Sequence, residues 1–237
     1  MEIVPIGTIL NDAILGYTMS IKCMKNGKVH SKTISTYRKL AQKYKKNVRS
    51  HELDHQFLAK FLLRLSPKQK ILDMGTGTGE IANEISKNRG VDVVAIDASP
   101  EMLKIARKSY PNLKFRKMDL RTLKFKANSF DGIIANYSLI HLQDDELESV
   151  FEQVFRILRG RGFLYVAVQE PRKKSDKDGF YKVVYEAGIK LFINLFTETQ
   201  IKKMLVLAGF RVIEINRRPP EKNKEFPFNK LFIVAQK

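Results

Sequence analysis

The sequence has one cysteine, Cys23, among 237 residues. A lone cysteine excludes an intrachain disulfide and a cysteine-rich metal site, so we expect a cytoplasmic protein without a bound metal. No apolar run reaches the roughly 18 residues that a membrane-spanning helix needs. The first residues include Glu2 and Pro5 rather than a basic segment followed by an apolar core. We therefore expect neither a membrane span nor a signal peptide.

Acidic residues are absent between Asp12 and Glu52, where ten Lys and Arg residues occur. The whole chain has 43 Lys and Arg against 25 Asp and Glu, a formal net charge of +18. A basic surface can attract nucleic acid or acidic substrates. Because no aromatic-interleaved RNA-binding motif accompanies the charge, a solvated helix face is the favoured interpretation and nucleic-acid docking is the alternative.

The order of apolar segments predicts an α/β fold. Hydrophobic residues make up 43% and charged residues 29% of the chain, which is typical of a globular protein. Strand-like and helical segments alternate, which indicates a parallel sheet with helices on both faces. Strands are expected near residues 70–74, 91–97, 113–119, 130–136, 162–169, 211–217 and 230–236. Helices are expected over 144–158 and from Thr197, which forms a capping box with Gln200, to Gly209.

The chain divides near residue 68. A helical stripe of apolar residues begins near Tyr37 and a second helix is expected over 53–65, ending at Ser66-Pro67. The Asn26-Gly27 pair is typical of a tight hairpin turn. We therefore predict an extension over 1–34 with a short hairpin, a helical cap over 35–68, and a core over 69–237 with a substrate-covering insertion at about 171–196.

A glycine-rich turn follows the first strand of the core. Residues 71–81 read ILDMGTGTGEI, and glycines at alternate positions let the backbone approach a ligand closely. Asp97 ends the next strand, where it can accept hydrogen bonds from a ribose diol. The dinucleotide fingerprint would place a third glycine at position 80, which is Glu80. Asp73 beside the turn would repel a pyrophosphate but suits a ligand with an ammonium group.

The glycine turn and four later segments resemble the class I S-adenosylmethionine (SAM) dependent methyltransferases. The later segments are DASPEML at 97–103, LKFRKMD at 113–119, FDGIIANYSLIHL at 130–142 and LRGRGF at 158–163. The resemblance implies a Rossmann-like three-layer sandwich with a mostly parallel seven-stranded sheet. It also implies that the antiparallel last strand lies inside the sheet.

The resemblance also implies how SAM is bound. Gly75, Gly77 and Gly79 are expected along its methionine and ribose portion, Asp97 at the ribose hydroxyls, and Asp119 with the Leu120 backbone at adenine. Asp73 is expected near the methionine ammonium, directly or through water. The predicted cofactor-binding set is Asp73, Gly75, Thr76, Gly77, Gly79, Asp97, Ala98, Met102, Asp119, Leu120, Asn136 and Tyr37.

Candidates for the acceptor side follow the fourth and fifth strands. His141 could act as a general base, because imidazole titrates near neutrality, or could be a packed loop histidine. Tyr137 shares its loop and could orient the acceptor, and Glu170 is expected to face the same crevice. Tyr37 and Tyr44 could close over SAM or could be packing residues. His30 has no predicted partner.

The residues after the fourth strand bear on the substrate class. Methyltransferases that act on nucleobase amino groups resemble N-P-P-Y or D-P-P-Y there, whereas Asn136-Tyr137-Ser138-Leu139 has no proline. We therefore predict methyl transfer to an oxygen or nitrogen of a small, partly apolar acceptor, by a monomer or homodimer. The alternatives are an RNA or protein methyltransferase that docks through its basic N-terminal region, and a SAM-binding module without turnover.

Overall fold

The computed structural model describes residues 29–46, 52–87, 90–184 and 186–237. The helices are α1 (29–46), α2 (Glu52–Leu62), α3 (Glu80–Ser86), α4 (Pro100–Ser109), α5 (Asp144–Ile157) and α6 (Glu198–Leu207). The strands are β1 (Lys70–Met74), β2 (Asp92–Asp97), β3 (Lys114–Lys117), β4 (Phe130–Asn136), β5 (Leu158–Glu170), β6 (Gly179–Lys182), β7 (Lys190–Ile193), β8 (Arg211–Arg218) and β9 (Asn229–Gln236). Each of these described helices is too short or too polar to cross a membrane.

Seven strands form one sheet in the order β3-β2-β1-β4-β5-β9-β8. β3, β2, β1, β4 and β5 are parallel to one another, with Leu72 opposite Val94 and Ile133. β9 lies antiparallel between β5 and β8. The predicted mostly parallel sheet, with its antiparallel last strand inside, is therefore confirmed.

Alternate residues of the central strands pack into two apolar layers. Leu72, Ile133 and Val166 belong to the layer that includes the buried residues of α5 and α6. Ile71 and Ile134 belong to the other layer, which includes buried residues of α2, α3 and α4. The sheet is buried on both faces, as expected when crossover helices cover a parallel sheet. This arrangement is the predicted three-layer sandwich.

Side chains cap the starts of α4 and α6, at α6 through the predicted capping box. The Ser99 hydroxyl accepts a hydrogen bond from the Met102 N–H, and Pro100 occupies the first turn of α4. The Thr197 hydroxyl accepts from the Gln200 N–H, while the Gln200 side chain accepts from the Thr197 N–H. These contacts satisfy backbone donors that a helix leaves unpaired at its start.

The N-terminal part and the insertion differ from the sequence-based boundaries. α1 already covers residues 29–34, so a hairpin does not extend that far, and the Asn26-Gly27 turn lies outside the described residues. Leu40 and Ala41 of α1 are buried as the apolar stripe predicts. Within the 171–196 insertion, β6 and β7 form an antiparallel pair that the sequence did not predict.

Candidate active site

A cavity of about 730 Å³ lies at the carboxyl ends of the central strands. The core loops contribute Gly77, Asp97 and Asn136 to its wall. α1 contributes Tyr37, and the segment around β7 contributes Leu191. Ligand pockets commonly have volumes of about 300–1,000 Å³. The cavity therefore has the size of a small-molecule site, between the core and its helical cap.

Gly75 allows close contact between the loop after β1 and the loop after β4, which both contribute to the cavity wall. Its φ is +76°, and its N–H donates to the Ile96 carbonyl over 2.8 Å. A Cβ atom added to Gly75 would lie 2.3 Å from the Ser138 Cβ, in the loop after β4. Any larger residue would therefore clash with this loop as well as adopt an unfavourable backbone conformation.

Asp97 joins the loops that follow β1 and β2. Its Oδ2 accepts the Gly77 N–H and its Oδ1 accepts the Ser99 N–H, each over 2.8 Å. Burial raises the pKa of the Asp97 carboxyl, although these backbone donors oppose the rise. The carboxylate is consequently held in one orientation at the cavity wall.

Asp73 is a buried carboxyl group at the end of β1, with 1% of its surface exposed. Burial, reinforced by the Asp97 and Glu80 carboxylates, raises its pKa to about 7. Three buried oxygens near the glycine loop have no hydrogen-bond partner within the described part of the chain: Asp73 Oδ2, Thr76 Oγ1 and Ser138 Oγ. Such unpaired oxygens suit a ligand that brings its own donors or positive charge.

Tyr37 and His141 form a hydrogen-bonded pair at the cavity wall. The Tyr37 hydroxyl is 2.7 Å from His141 Nε2, and His141 Nδ1 is 2.8 Å from the Phe192 carbonyl oxygen. Because a carbonyl only accepts, Nδ1 carries the proton and Nε2 accepts from Tyr37. Burial, together with nearby His30, lowers the pKa of His141 to about 4. His141 is therefore neutral at physiological pH.

Tyr137 is held by a buried ionic network. Its φ is +54°, and its hydroxyl donates to Asp54 Oδ2 over 2.9 Å. Asp54 Oδ1 also accepts from Arg218 Nε, and Arg218 pairs with Glu225. Burial, followed by the Asp54 charge, raises the Tyr137 pKa well above its usual value. The Tyr137 phenol therefore stays protonated.

Comparison with known proteins identifies the core. Residues 71–162, from β1 through the start of β5, match the model of a family described as a methyltransferase domain. Residues 71–162 therefore carry a methyltransferase domain, within the fold of SAM-dependent methyltransferases of known structure. The glycine loop and Asp97 of this methyltransferase domain both lie inside the matched range.

Two curated relatives extend the match. The demethylmenaquinone methyltransferase of Chlorobaculum tepidum is 37% identical over 130 residues, which cover 55% of this chain and 53% of that protein. An O-methyltransferase of Pyrenophora dematioidea is 29% identical over 161 residues, which cover 64% of this chain and 58% of that protein. The chain therefore spans little more than half the length of these relatives.

Solved structures share the fold of the methyltransferase domain. The 1,6-didemethyltoxoflavin-N1-methyltransferase of Burkholderia thailandensis, solved with 1,6-didemethyltoxoflavin and S-adenosylhomocysteine, matches with a TM-score of 0.71, 20% identity and 90% coverage of each chain. A SAM-dependent methyltransferase of Methanosarcina mazei matches with a TM-score of 0.66, 19% identity, and coverage of 78% of this chain and 97% of that one. Both matches concern the fold.

The cavity of the methyltransferase domain brings together most of the predicted site residues. Those that line it are Gly75, Thr76, Gly77, Asp97, Ala98, Met102, Leu120, Asn136, Tyr37, Tyr137 and His141. Tyr44 also lines the cavity and lies beside Gly77, whose added Cβ would be 3.6 Å from the Tyr44 ring.

Four predicted residues of the methyltransferase domain lie elsewhere. Asp73 is behind the glycine loop, outside the cavity wall. Gly79 starts α3, and an added Cβ would lie 3.0–3.2 Å from Tyr110, Phe115 and Ala106, so it serves helix–strand packing. The Asp119 carboxylate contacts His30 and Arg121.

Glu170 is the fourth, and its expected position was wrong. The Glu170 carboxylate accepts two hydrogen bonds from Arg217 and one from Asn229, and it does not line the cavity. Its neighbour Gln169 does. Successive residues of a strand point to opposite faces, and β5 is buried on both, so its sequence shows no alternation that reveals which face meets the cavity.

Several cavity residues were missed from the sequence. His30 lines the cavity and pairs with Asp119, which lies 89 positions away along the chain, so no local pattern could show the contact. Lys230 is directly opposite Gln169 in the β5–β9 register and also lines the cavity. Burial lowers the Lys230 pKa to about 8. The sequence feature that could have identified Lys230 is the presence of a lysine in the otherwise apolar segment of β9.

Proposed function

We propose that this protein transfers a methyl group from SAM to an oxygen or nitrogen of a small, partly apolar acceptor. The observation that carries the proposal is the continuity of one cavity. Its wall includes the glycine loop and Asp97 at the core, and Tyr37, Val183 and Leu191 from the cap and insertion. The cavity can therefore hold a cofactor and a second small molecule side by side.

The core end of the cavity fits SAM by its chemistry. SAM, when bound, supplies an electrophilic methyl group on a positively charged sulfur. Asp97 lines the cavity and would accept hydrogen bonds from the ribose hydroxyls, whereas Asp73, behind the glycine loop, would act on the methionine ammonium only through water. Ala98, Met102 and Leu120 provide apolar surface for the adenine ring.

The end of the cavity away from the glycine loop has a lining that favours a small-molecule acceptor over a polymer. Its wall combines apolar side chains with the Tyr37–His141 hydrogen bond and the buried Gln169 amide. Two curated relatives have names that refer to a demethylmenaquinone and to oxygen methylation. Both names are consistent with a small-molecule acceptor, which is the class that we propose.

Catalysis would depend chiefly on how the acceptor atom is positioned relative to the methyl carbon and the sulfur of SAM. An in-line displacement requires the acceptor atom to approach the methyl carbon at about 3–3.5 Å, opposite the sulfur. α1 and the β6–β7 segment form part of the wall around this space, while Gly75 keeps the loops after β1 and β4 in contact. We propose that Tyr37 and Tyr137 orient the acceptor.

The activity is tested with methyl-labelled SAM, purified protein and a whole-cell extract. Parallel samples are treated with RNase or protease, and the label is sorted by mass. Label in the low-mass fraction of the untreated sample supports the proposal. Label released from macromolecules by RNase or by protease supports an RNA or a protein substrate instead, and binding of SAM without label transfer supports a binding module.

The cofactor site is tested separately by calorimetry with S-adenosylhomocysteine. Asp97→Ala is expected to weaken binding at least about tenfold, equivalent to about 1.4 kcal/mol. Asp92→Ala is the matched control, because Asp92 starts the same strand and pairs with Lys114 at the opposite end of the sheet. Equal affinities of the Asp97 variant and the unmodified protein would contradict the assigned site.

A further inference from the structure

Gln169 has a buried side-chain amide with unused hydrogen-bonding capacity at the cavity wall. Only 4% of the residue is exposed, and it lines the cavity near the end of β5. The amide oxygen is enclosed and has no hydrogen-bond partner in any range that the structure describes. The amide nitrogen is not enclosed, so it is the atom of this group that a ligand in the cavity can reach. A buried amide of this kind calls for partners that a ligand supplies.

The backbone of Gln169 is held by neighbouring strands and segments. Its carbonyl oxygen accepts a hydrogen bond from the Phe196 N–H over 2.8 Å, and the residue forms a bridge with Leu195. On the other side it lies directly opposite Lys230 in the β5–β9 register. The amide therefore projects from a strand inside the sheet rather than from a loop, which favours precise recognition of a ligand.

Other polar side chains at this end of the cavity are already paired. The Tyr37 hydroxyl donates to His141, whose second nitrogen donates to a backbone carbonyl. The Lys230 ammonium is buried and donates to the carbonyl oxygens of Phe226 and Phe228. This lysine is therefore not available to pair with an anionic ligand. Because a buried anion needs a compensating charge, the neighbourhood of the glutamine amide favours a neutral polar group.

Resting on the proposed methyl transfer, we propose that Gln169 is a specificity-determining residue that binds the acceptor through its amide. The nitrogen donates to a carbonyl oxygen of the acceptor, and a turn of the amide in the complex brings its oxygen to a neighbouring N–H or O–H group. Glutamine recognises adenine through the same combination of one donor and one acceptor. The substrate class is therefore a neutral, planar ring compound that carries a carbonyl group beside an N–H or O–H group.

Gln169→Met tests the binding role, because methionine has a similar length but lacks the amide. Label transfer from SAM to low-mass compounds is measured over a series of extract dilutions, which separates the half-saturating extract concentration from the maximal rate. We expect the half-saturating concentration to rise at least about tenfold, since a site built to hydrogen-bond its substrate loses that contact. Affinity for S-adenosylhomocysteine, measured by calorimetry, is expected to stay within about twofold.

Stability distinguishes an amide that serves a ligand from one that serves the fold. Without acceptor, Gln169→Met removes a buried oxygen that has no partner, so we expect the melting temperature to rise by about 2–4 °C. Gln153→Met is the matched control, because the Gln153 amide bonds to the backbone of Leu123 and Arg121. That variant is expected to melt at a lower temperature and to keep the half-saturating extract concentration.

The charge of the acceptor is tested with extract passed through an anion exchanger before the assay. We expect the unretained low-mass compounds to receive the label, because the amide subsite takes a neutral ring. Transfer only to retained compounds would overturn this substrate class.

Three further outcomes would overturn the proposal. An unchanged half-saturating concentration in Gln169→Met, with active unmodified protein, would remove Gln169 from acceptor binding and leave the proposed function standing. A raised concentration together with a lower melting temperature would make the amide part of the fold. Absence of label transfer by the unmodified protein would overturn the proposed function and this inference together.

Discussion

At the residue scale, the buried carboxyl group of Asp73 makes the stability of the fold depend on pH. Its ordinary pKa is 3.8 and burial raises it to about 7 in the folded protein. Between these values the unfolded state is ionised while the folded state keeps its proton. The contribution of Asp73 to stability is therefore full below its unfolded pKa and is lost as pH rises through the folded pKa near 7.

Asp73→Asn removes this titration. We expect the variant to gain stability relative to the unmodified protein as pH rises from about 4 to 8, by up to about 4 kcal/mol. Urea unfolding at both pH values measures the difference. Asp92→Asn, at the exposed start of β2, is the control. A gain of equal size at both pH values would show that ionisation of Asp73 is not responsible.

At the element scale, α1 is attached to the core by ion pairs. Lys45 Nζ lies 2.5 Å from Glu80 of α3, and Arg38 lies 3.0 Å from Glu101 of α4. A third pair joins Lys43 to Glu186 in the insertion, over 2.6 Å. Part of the charge in the acid-free segment thus serves contact between the cap and the core, which supports the interpretation that favours a helix face over nucleic-acid docking.

Lys45→Ala tests whether these pairs hold α1 over the cavity. We expect S-adenosylhomocysteine to bind up to about fivefold more weakly at low salt, because a partly exposed ion pair contributes about 0.2–1 kcal/mol. The difference should shrink at about 0.5 M salt, where screening is strong. Calorimetry measures the affinity for S-adenosylhomocysteine at both salt concentrations.

Lys39→Ala is the control for this prediction, since Lys39 is exposed on the same helix. Equal weakening by the two substitutions would indicate a general charge effect rather than a specific contact with Glu80.

The success of prediction also differs by element. β1, β2 and β4 combine apolar runs with characteristic loops, and their predicted positions agree with the structure to within a residue. β6 and β7 have four residues each, which is too short for a periodic pattern to distinguish them from a loop. The early start of α1 was missed because residues 29–34 include few apolar side chains.

The site was predictable where chemistry depends on neighbouring residues. Gly75, Gly77 and Asp97 could be identified because each lies next to a strand end, and all three line the cavity. The His30–Asp119 contact could not, since it depends on how α1 crosses the sheet. The same holds for the pairing of Asp54 with Arg218, which are separated by 164 positions.

At the scale of the whole molecule, buried charges connect distant parts of the chain. Asp54 of α2 contacts Arg218 of β8 and Tyr137 of the loop after β4. Arg218 contacts Glu225, and Lys230 of β9 lies 3.4 Å from Glu225. The two cations balance the two carboxylates, as buried charge requires. This network fixes the cap, the loop and the closing strands around one side of the cavity.

Arg218→Met leaves Asp54 and Glu225 without their shared cation. We expect a loss of about 3–5 kcal/mol in the free energy of unfolding, because removal of one partner leaves buried charge uncompensated. Urea unfolding at pH 7 measures it.

Arg64→Met is the comparison, since Arg64 pairs with Glu214 nearer the surface, where such a pair contributes at most about 1 kcal/mol. Similar losses in the two variants would contradict a special role for the network.

The position of β9 has a consequence for synthesis of the chain. β5 ends at Glu170, but its neighbour β9 begins only at Asn229. At about 5–20 residues per second, a ribosome needs several seconds to make the segment between them. During that interval β5 presents an unpaired, largely apolar edge, which is a template for association with other nascent chains. The order of translation thus leaves the β9-facing edge of β5 as the last edge in the interior of the sheet to be paired.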